Sequence, residues 1–152
     1  MRKSYILFVI LSLGVFAVAI VLAQGSFLVF FDPASMLLTF IPTLFMLLAV
    51  YTPSECVDAF RLAWNGSGGD RSAVMNAIAF FETAQKLLLL MGIVGLMLGC
   101  MLMLSAGWRI EKFALGLSYA LVCMLYAFIT IFLVTVPFSN ALRKKLNSMP
   151  RE

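Results

Sequence analysis

The sequence predicts an all-α, polytopic membrane protein with four transmembrane helices, and three observations predict it. Hydrophobic residues make up 63% of the 152 and charged residues only 12%, about half the roughly 25% charge of a soluble domain; the mean hydropathy is +1.05. Apolar runs close to or above the roughly 18 residues that a bilayer requires recur at about 5–23, 35–51, 87–106 and 113–137. Lys and Arg divide unevenly around these runs: two precede the first, none separates first from second, three lie between second and third, two between third and fourth, and four follow the last. Positive residues gather on the cytoplasmic side, which predicts an N-in/C-in topology with the middle loop inside, nine cations in and two out. One membrane domain over 1–152 follows, with a cytoplasmic loop at about 52–86 and a basic cytoplasmic tail at 138–152.

The first run follows Arg2 and Lys3 and carries Ala17-Val18-Ala19, features shared with a secretory leader. Apolar residues continue past that point to Ala23, so it is expected to stay as an anchor. After Gln24-Gly25-Ser26 and Phe27–Phe31, Asp32 is placed to cap the second helix with Pro33 in its first turn. The second run contains Pro42 and ends at Thr52-Pro53-Ser54-Glu55, a capping box that starts a new helix. To about Trp64 that helix holds Cys56, Val57, Phe60 and Trp64 on one stripe and Glu55, Asp58 and Arg61 off it, the pattern of a short amphipathic helix at a membrane surface or against a neighbour.

Asn65-Gly66-Ser67-Gly68-Gly69-Asp70 reads as a turn. Asn65-Gly66-Ser67 also fits a glycosylation sequon, which the cytoplasmic placement discounts. From Arg71 the helical spacing has no Gly or Pro before the third apolar run, so one helix of roughly 54 Å, about 1.5 Å per residue to Ala106, is expected to project into the cytoplasm. Glu82 and Lys86, four apart, could pair on it.

Three cysteines, Cys56, Cys100 and Cys123, show no metal-ligand spacing or disulfide framework, and histidine is absent. A His-based zinc site or triad is therefore ruled out, and neither an enzyme nor a cofactor or metal site is expected. The net charge of +4 is explained by topology, with Arg143, Lys144 and Lys145 facing lipid headgroups, and implies no nucleic acid. No charged residue occupies the middle of an apolar run, although a proton- or ion-coupled transporter needs an ionisable group at that depth. Hydroxyls do occur there: Thr39 and Thr43 on the second helix, and Ser118, Tyr119, Tyr126, Thr130 and Thr135 on the fourth. Tyr119, Cys123, Tyr126, Thr130 and Pro137 share one helical face. Such hydroxyls either line a polar path or bond their own helix or a neighbour. Gly92, Gly95 and Gly99 interrupt the third run, and Gly95 with Gly99 forms the small-xxx-small spacing of closely packed membrane helices.

Three stretches together resemble the MotA/TolQ/ExbB proton-channel family, nearer its flagellar-stator branch. They are FDPASMLL at 31–38 with TPSECVDAFRLA at 52–63, MGIVGLMLG at 91–99, and ALGLSYALVCMLYAFITIFLVTVPFSNALRKK at 114–145. The resemblance implies an A-type subunit in the bacterial inner membrane, five of which ring a dimer of single-span MotB/ExbD-like partners whose aspartate carries the ion. The carboxylate missing here would then belong to another chain. It also implies that Gly92, Gly95, Gly99, Gly116 and Pro137 serve helix packing and partner contact, and that Thr43, Tyr126 and Thr130 line the ion path. The middle loop is far shorter than that of flagellar stators, so the large torque domain is missing and Glu55, Asp58 and Arg61 would form a reduced cytoplasmic contact surface. A non-conducting scaffold of the same fold, or an unrelated four-helix transporter, are the other readings.

Overall fold

A computed structural model describes residues 3–22, 31–65, 69–105 and 110–149. The Gln24-Gly25-Ser26 loop with Ala23 and 27–30, residues 66–68 of the predicted turn and sequon, the connection at 106–109, and the terminal Arg2 and Arg151 lie outside them. Every regular element among the described residues is a helix: α1 (Lys3–Leu22), α2 (Pro33–Val50), α3 (Pro53–Asn65), α4 (Arg71–Ser105), α5 (Ile110–Thr130) and α6 (Val136–Ser148), with a π turn (Ile131–Thr135) joining the last two. Three helical stretches, Pro33–Val50, Arg71–Ser105 and Phe113–Ser148, are long and apolar enough to cross a membrane, the architecture of a multi-pass membrane protein. α1 is an apolar helix as well, but among the described residues it has no closely packed partner helix.

Local chemistry accounts for the helix starts. The Asp32 carboxylate accepts from the backbone N–H of Ala34 and Ser35 at 3.3 and 3.2 Å and from the Ser35 hydroxyl, which satisfies donors that the first turn of α2 leaves open. At α3 the capping box closes in both directions: Thr52 N–H donates to Glu55 Oε2 at 2.7 Å, and Glu55 N–H to Thr52 Oγ1 at 3.4 Å. Gly69 has φ of +93°, a conformation that a side chain disfavours, and it leads into Asp70, whose carboxylate accepts from Arg71 N–H at 2.7 Å.

α4 is a single helix of 35 residues, about 52 Å long at roughly 1.5 Å per residue, against a hydrocarbon layer of about 30 Å. It is the central element: α2, α3, α5 and α6 all pack on it. α5 returns antiparallel along its second half, and α6 continues past α5 to pack on its first half and on α3.

One expectation, the Glu82–Lys86 pair, is corrected here. The segment after 137 is helical: α6 continues the apolar stretch that starts at Phe113 as far as Ser148 and buries Phe138, Ser139 and Leu142. Glu82 meets Arg143 of α6 and not Lys86, because α6 lies against the first half of α4 and brings a guanidinium across.

The main buried cluster sits at the end formed by α3, the start of α4 and α6, called the head below. Leu47, Ala59, Ala63, Val74, Ala77, Phe80, Phe81, Ala84, Phe138 and Leu142 build it. Phe60, Phe80, Phe81 and Phe138 meet one another at ring-centroid distances of 5.2 to 6.0 Å, mostly edge to face, a geometry worth about 0.5–1.5 kcal/mol per pair beyond burial. Tyr51 joins edge-on to Phe80 at 5.3 Å. Its hydroxyl lies 3.2 Å from Thr83 Oγ1, which donates its one proton to the Ala79 carbonyl, so Tyr51 is the donor of that pair.

The bulky residues of the α3 stripe stay largely on its outer surface. Ala59 and Ala63 are buried, whereas Val57, Phe60 and Trp64 keep about half of their surface exposed. Small residues let α3 lie close on α4, and the bulky ones stay on the outer side, Phe60 reaching inward only through its ring.

Candidate functional site

The glycines of α4 form a seam with α5. A methyl group built on Gly92 would come 2.8 Å from Ala127 Cβ, one on Gly95 2.4 Å from Cys123 Cβ, and one on Gly99 2.4 Å from Ala120 Cβ. On the opposite helix, Gly116 leaves the same kind of space for Met103, whose backbone nitrogen lies 2.9 Å from such a methyl. Each glycine thus meets a small or slender residue, and the two backbones approach as small-xxx-small spacing permits. The resemblance sets Gly92, Gly95 and Gly99 against a partner's helices; the structure fills the room they make with α5 of the same chain.

Beside this seam, α2 lays one face on α4 and α5. Ser35, Thr39, Thr43 and Leu47, at intervals of four, are all buried. Thr43 Oγ1 donates to the Thr39 carbonyl at 2.7 Å, but Thr39 Oγ1, fully buried, has no hydrogen-bond partner. Tyr126 reaches from α5 to the start of α2, where its hydroxyl accepts from Asp32 N–H at 3.0 Å, and its ring stands 6.3 Å from Phe40.

Between α2, α4 and the junction of α5 with α6 lies a groove of about 330 Å³. Thr43, Thr130 and Thr135 border it among Ile41, Leu44, Leu48, Leu88 and Val134, and Cys56 and Phe60 of α3 lie at its head end. Two of the three proposed path residues, Thr43 and Thr130, are brought together here, whereas Tyr126 caps α2 elsewhere. All three threonine hydroxyls donate to their own helices: Thr43 to Thr39, Thr130 to the Tyr126 carbonyl at 2.8 Å, and Thr135 to the Ile131 carbonyl at 3.1 Å. Each spends its only proton on backbone, so the groove offers apolar surface in place of free donors.

Pro137 explains the π turn at its edge. Proline has no N–H for the carbonyl of Leu133, and its ring crowds that position in a regular helix. The backbone opens to a wider turn in which Val136 N–H bonds the Ile131 carbonyl, a five-residue spacing that gives the ring room. Pro137 therefore shapes the step from α5 to α6, a role that its position on the shared face of the fourth helix did not disclose.

A second hollow, of about 450 Å³, lies at the far end from the head, bordered by Asp32, Ser105, Ser118 and Tyr119. A third, about 310 Å³, lies between α3 and α4 with Tyr51, Glu55, Asp58, Asn76 and Phe80 around it. Glu55 and Asp58 thus share a rim, and Arg61 stands 3.8 Å from Asp58 on the exposed side of α3. The hydrogen bonds from Thr52 N–H, and then from its hydroxyl, hold the Glu55 carboxyl below its ordinary value of 4.5. Burial, and secondarily the charge of Glu55, pushes the Cys56 thiol above 9.0, which makes it a poor nucleophile at neutral pH. No group of His, Cys, Asp and Glu suited to a metal ion occurs among the described residues.

Sequence reasoning missed the Phe60, Phe80, Phe81 and Phe138 cluster, because its members come from three helices with no common period. The Ser35–Thr39–Thr43 face was legible as a spacing of four, but not its burial. Compared with protein-family models and with curated proteins, the chain matches none.

Proposed function

We propose that the chain is an A-type, ring-forming subunit of a proton- or sodium-driven energy-transducing complex in the bacterial inner membrane, as its resemblance to the MotA/TolQ/ExbB family implies. The observation that carries this reading is the combination of two long helices, sealed together by Gly92, Gly95, Gly99 and Gly116, with the lack of any charged residue from 33 to 54, from 87 to 108 and from 113 to 142. An ion crossing such a bundle needs an ionisable group at membrane depth, so a single-span partner would supply its aspartate. In this reading α1 is a fourth span, both termini are cytoplasmic, and the head, with Glu55, Asp58 and Arg61 on its surface, is the part that touches what the motor drives. Protonation of the partner's carboxylate removes a buried charge and shifts the population of partner positions within the ring.

Membranes of the native host, solubilised in mild detergent, test this reading through the mass and composition of the purified complex. Five copies with a single-span protein containing an intramembrane Asp support it, and a monomer or dimer alone refutes it. A second reading, a non-conducting scaffold of the same fold, is favoured by the self-bonded hydroxyls of Thr43, Thr130 and Thr135. If the partner is present but Thr130→Val leaves ion-coupled activity intact, Thr130 does not line a path.

A further inference from the structure

We infer that the groove between α2, α4 and the π turn is a binding site for one acyl chain of an anionic phospholipid from the leaflet at the head. The inference rests on the membrane placement of α2, α4 and α5 and needs no partner protein.

The lining decides the chemistry. Leu44, Leu48, Leu88 and Val134 present hydrocarbon, and the three hydroxyls that border the groove already donate within their own helices. A groove with no donor left over gains nothing from water or an ion and keeps the full preference of apolar surface for an apolar guest. The groove's volume of about 330 Å³, at the lower end of small-molecule sites, roughly 300–1,000 Å³, fits a single flexible chain. The α2 wall is accessible from the side, with Ile41, Leu44 and Leu48 each 40 to 49% exposed.

Charge selects the headgroup. Phe60 and Cys56 mark the head end of the groove, and the head helices carry Arg61, Arg71, Lys86, Arg143, Lys144 and Lys145 against Glu55, Asp58, Asp70 and Glu82, a net excess of two cations, with Arg61 paired to Asp58 and Arg143 to Glu82. That net excess of cations on the head favours an anionic headgroup in the leaflet beside it, at about 1 kcal/mol per uncompensated basic residue near the surface. Trp64, about half exposed on the neighbouring face of α3, is a residue type that settles at headgroup level.

Native mass spectrometry tests the inference on the full chain, purified from nanodiscs of equal phosphatidylglycerol and phosphatidylcholine and delipidated stepwise. One phosphatidylglycerol per chain is expected to survive longest, at least five-fold over phosphatidylcholine. Ile41→Trp and Thr130→Phe, which put bulk on opposite walls, are each expected to reduce its retention at least five-fold while circular dichroism and the melting midpoint show a folded protein. The double variant Arg61→Gln/Lys144→Gln is expected to lose the headgroup preference but keep the bound lipid. Loss of all lipid at the first step from the wild type overturns the site, as does retention that neither folded filling variant alters. Leu48→Cys provides a second measurement: a disulfide to another copy of the chain would show that a neighbouring helix covers the groove and would overturn the lipid assignment, whereas its protection from a lipid-soluble maleimide by phosphatidylglycerol supports it.

Discussion

Gly99→Ala tests the seam between α4 and α5 where it has least room to yield. The new methyl would lie 2.4 Å from Ala120 Cβ and 2.7 Å from both Ala120 Cα and N, so two of the three obstructions are backbone and no rotamer relieves them. Ordinary contact begins at 3.4 Å; the helices must part locally by about 1 Å. A gap of that size forfeits roughly a quarter to a half of each dispersion well along the interface, and overpacking of a tight core typically costs about 1–3 kcal/mol. Against this, alanine gains about 1 kcal/mol of helix propensity over glycine. The net expectation is a loss of up to about 2 kcal/mol, read as a lower midpoint of unfolding in detergent. Ala120→Gly alone removes the opposing methyl and costs about 1 kcal/mol in propensity. The double variant removes the Ala120 Cβ obstruction but leaves Ala120 Cα and N at 2.7 Å from the new methyl, so it is expected below the wild type yet more stable than the sum of the singles, a coupling within the usual range of about 0.5–3 kcal/mol for contacting pairs. Gly14→Ala is the control, since nothing lies within 4 Å of the added methyl, and no destabilisation is expected. A Gly99→Ala protein at least as stable as the wild type, or a double variant no better than the sum of the singles, would refute the seam.

Three further outcomes follow from other parts of the molecule. Thr39→Val removes a buried hydroxyl with no partner and keeps the shape, so it should leave stability unchanged or raise it by about 1 kcal/mol; a loss above that in a thermal melt would mean that the hydroxyl has a partner in the membrane. Phe81→Ala empties a fully buried position at the centre of the aromatic cluster and should cost about 3–5 kcal/mol, measured by the same melts, whereas Phe132→Ala, on the exposed side of the π turn, should cost far less. Glu55 has its carboxyl held below 4.5 by Thr52, so its contribution is present above the unfolded value and is lost as pH falls through the folded one. The melting advantage of the wild type over Glu55→Gln is therefore expected to shrink below about pH 4.5, and an advantage that grows in acid would contradict the capping box.

How much of this was legible in advance can be followed residue by residue. Asp32, Pro33, Thr52 and Glu55 act within one turn of chain, and their caps were readable because the partners are three or four residues away. The continuity of α4 from Arg71 was readable for the same reason, since no breaker interrupts its first half. Arg143 could not be assigned to Glu82, nor Phe138 to Phe60, because those meetings depend on α6 folding back over 60 or more residues. Tyr126, taken for a path residue with Thr130, is 94 residues from the Asp32 amide that it accepts from.

By itself the sequence determined the all-helical class, the apolar lengths, the caps and the absence of charge at depth, all set by local stereochemistry and by the energy of moving side chains from water to lipid. Only the tertiary structure decided which face of each helix meets another. In a soluble helix the packed side is the apolar side, but lipid solvates leucine as well as a neighbouring helix does, so an apolar surface all around hides the direction of packing. Gly92, Gly95 and Gly99 announced a close approach; that α5 of the same chain is what approaches follows from the fit of Ala127, Cys123 and Ala120 into the space they leave.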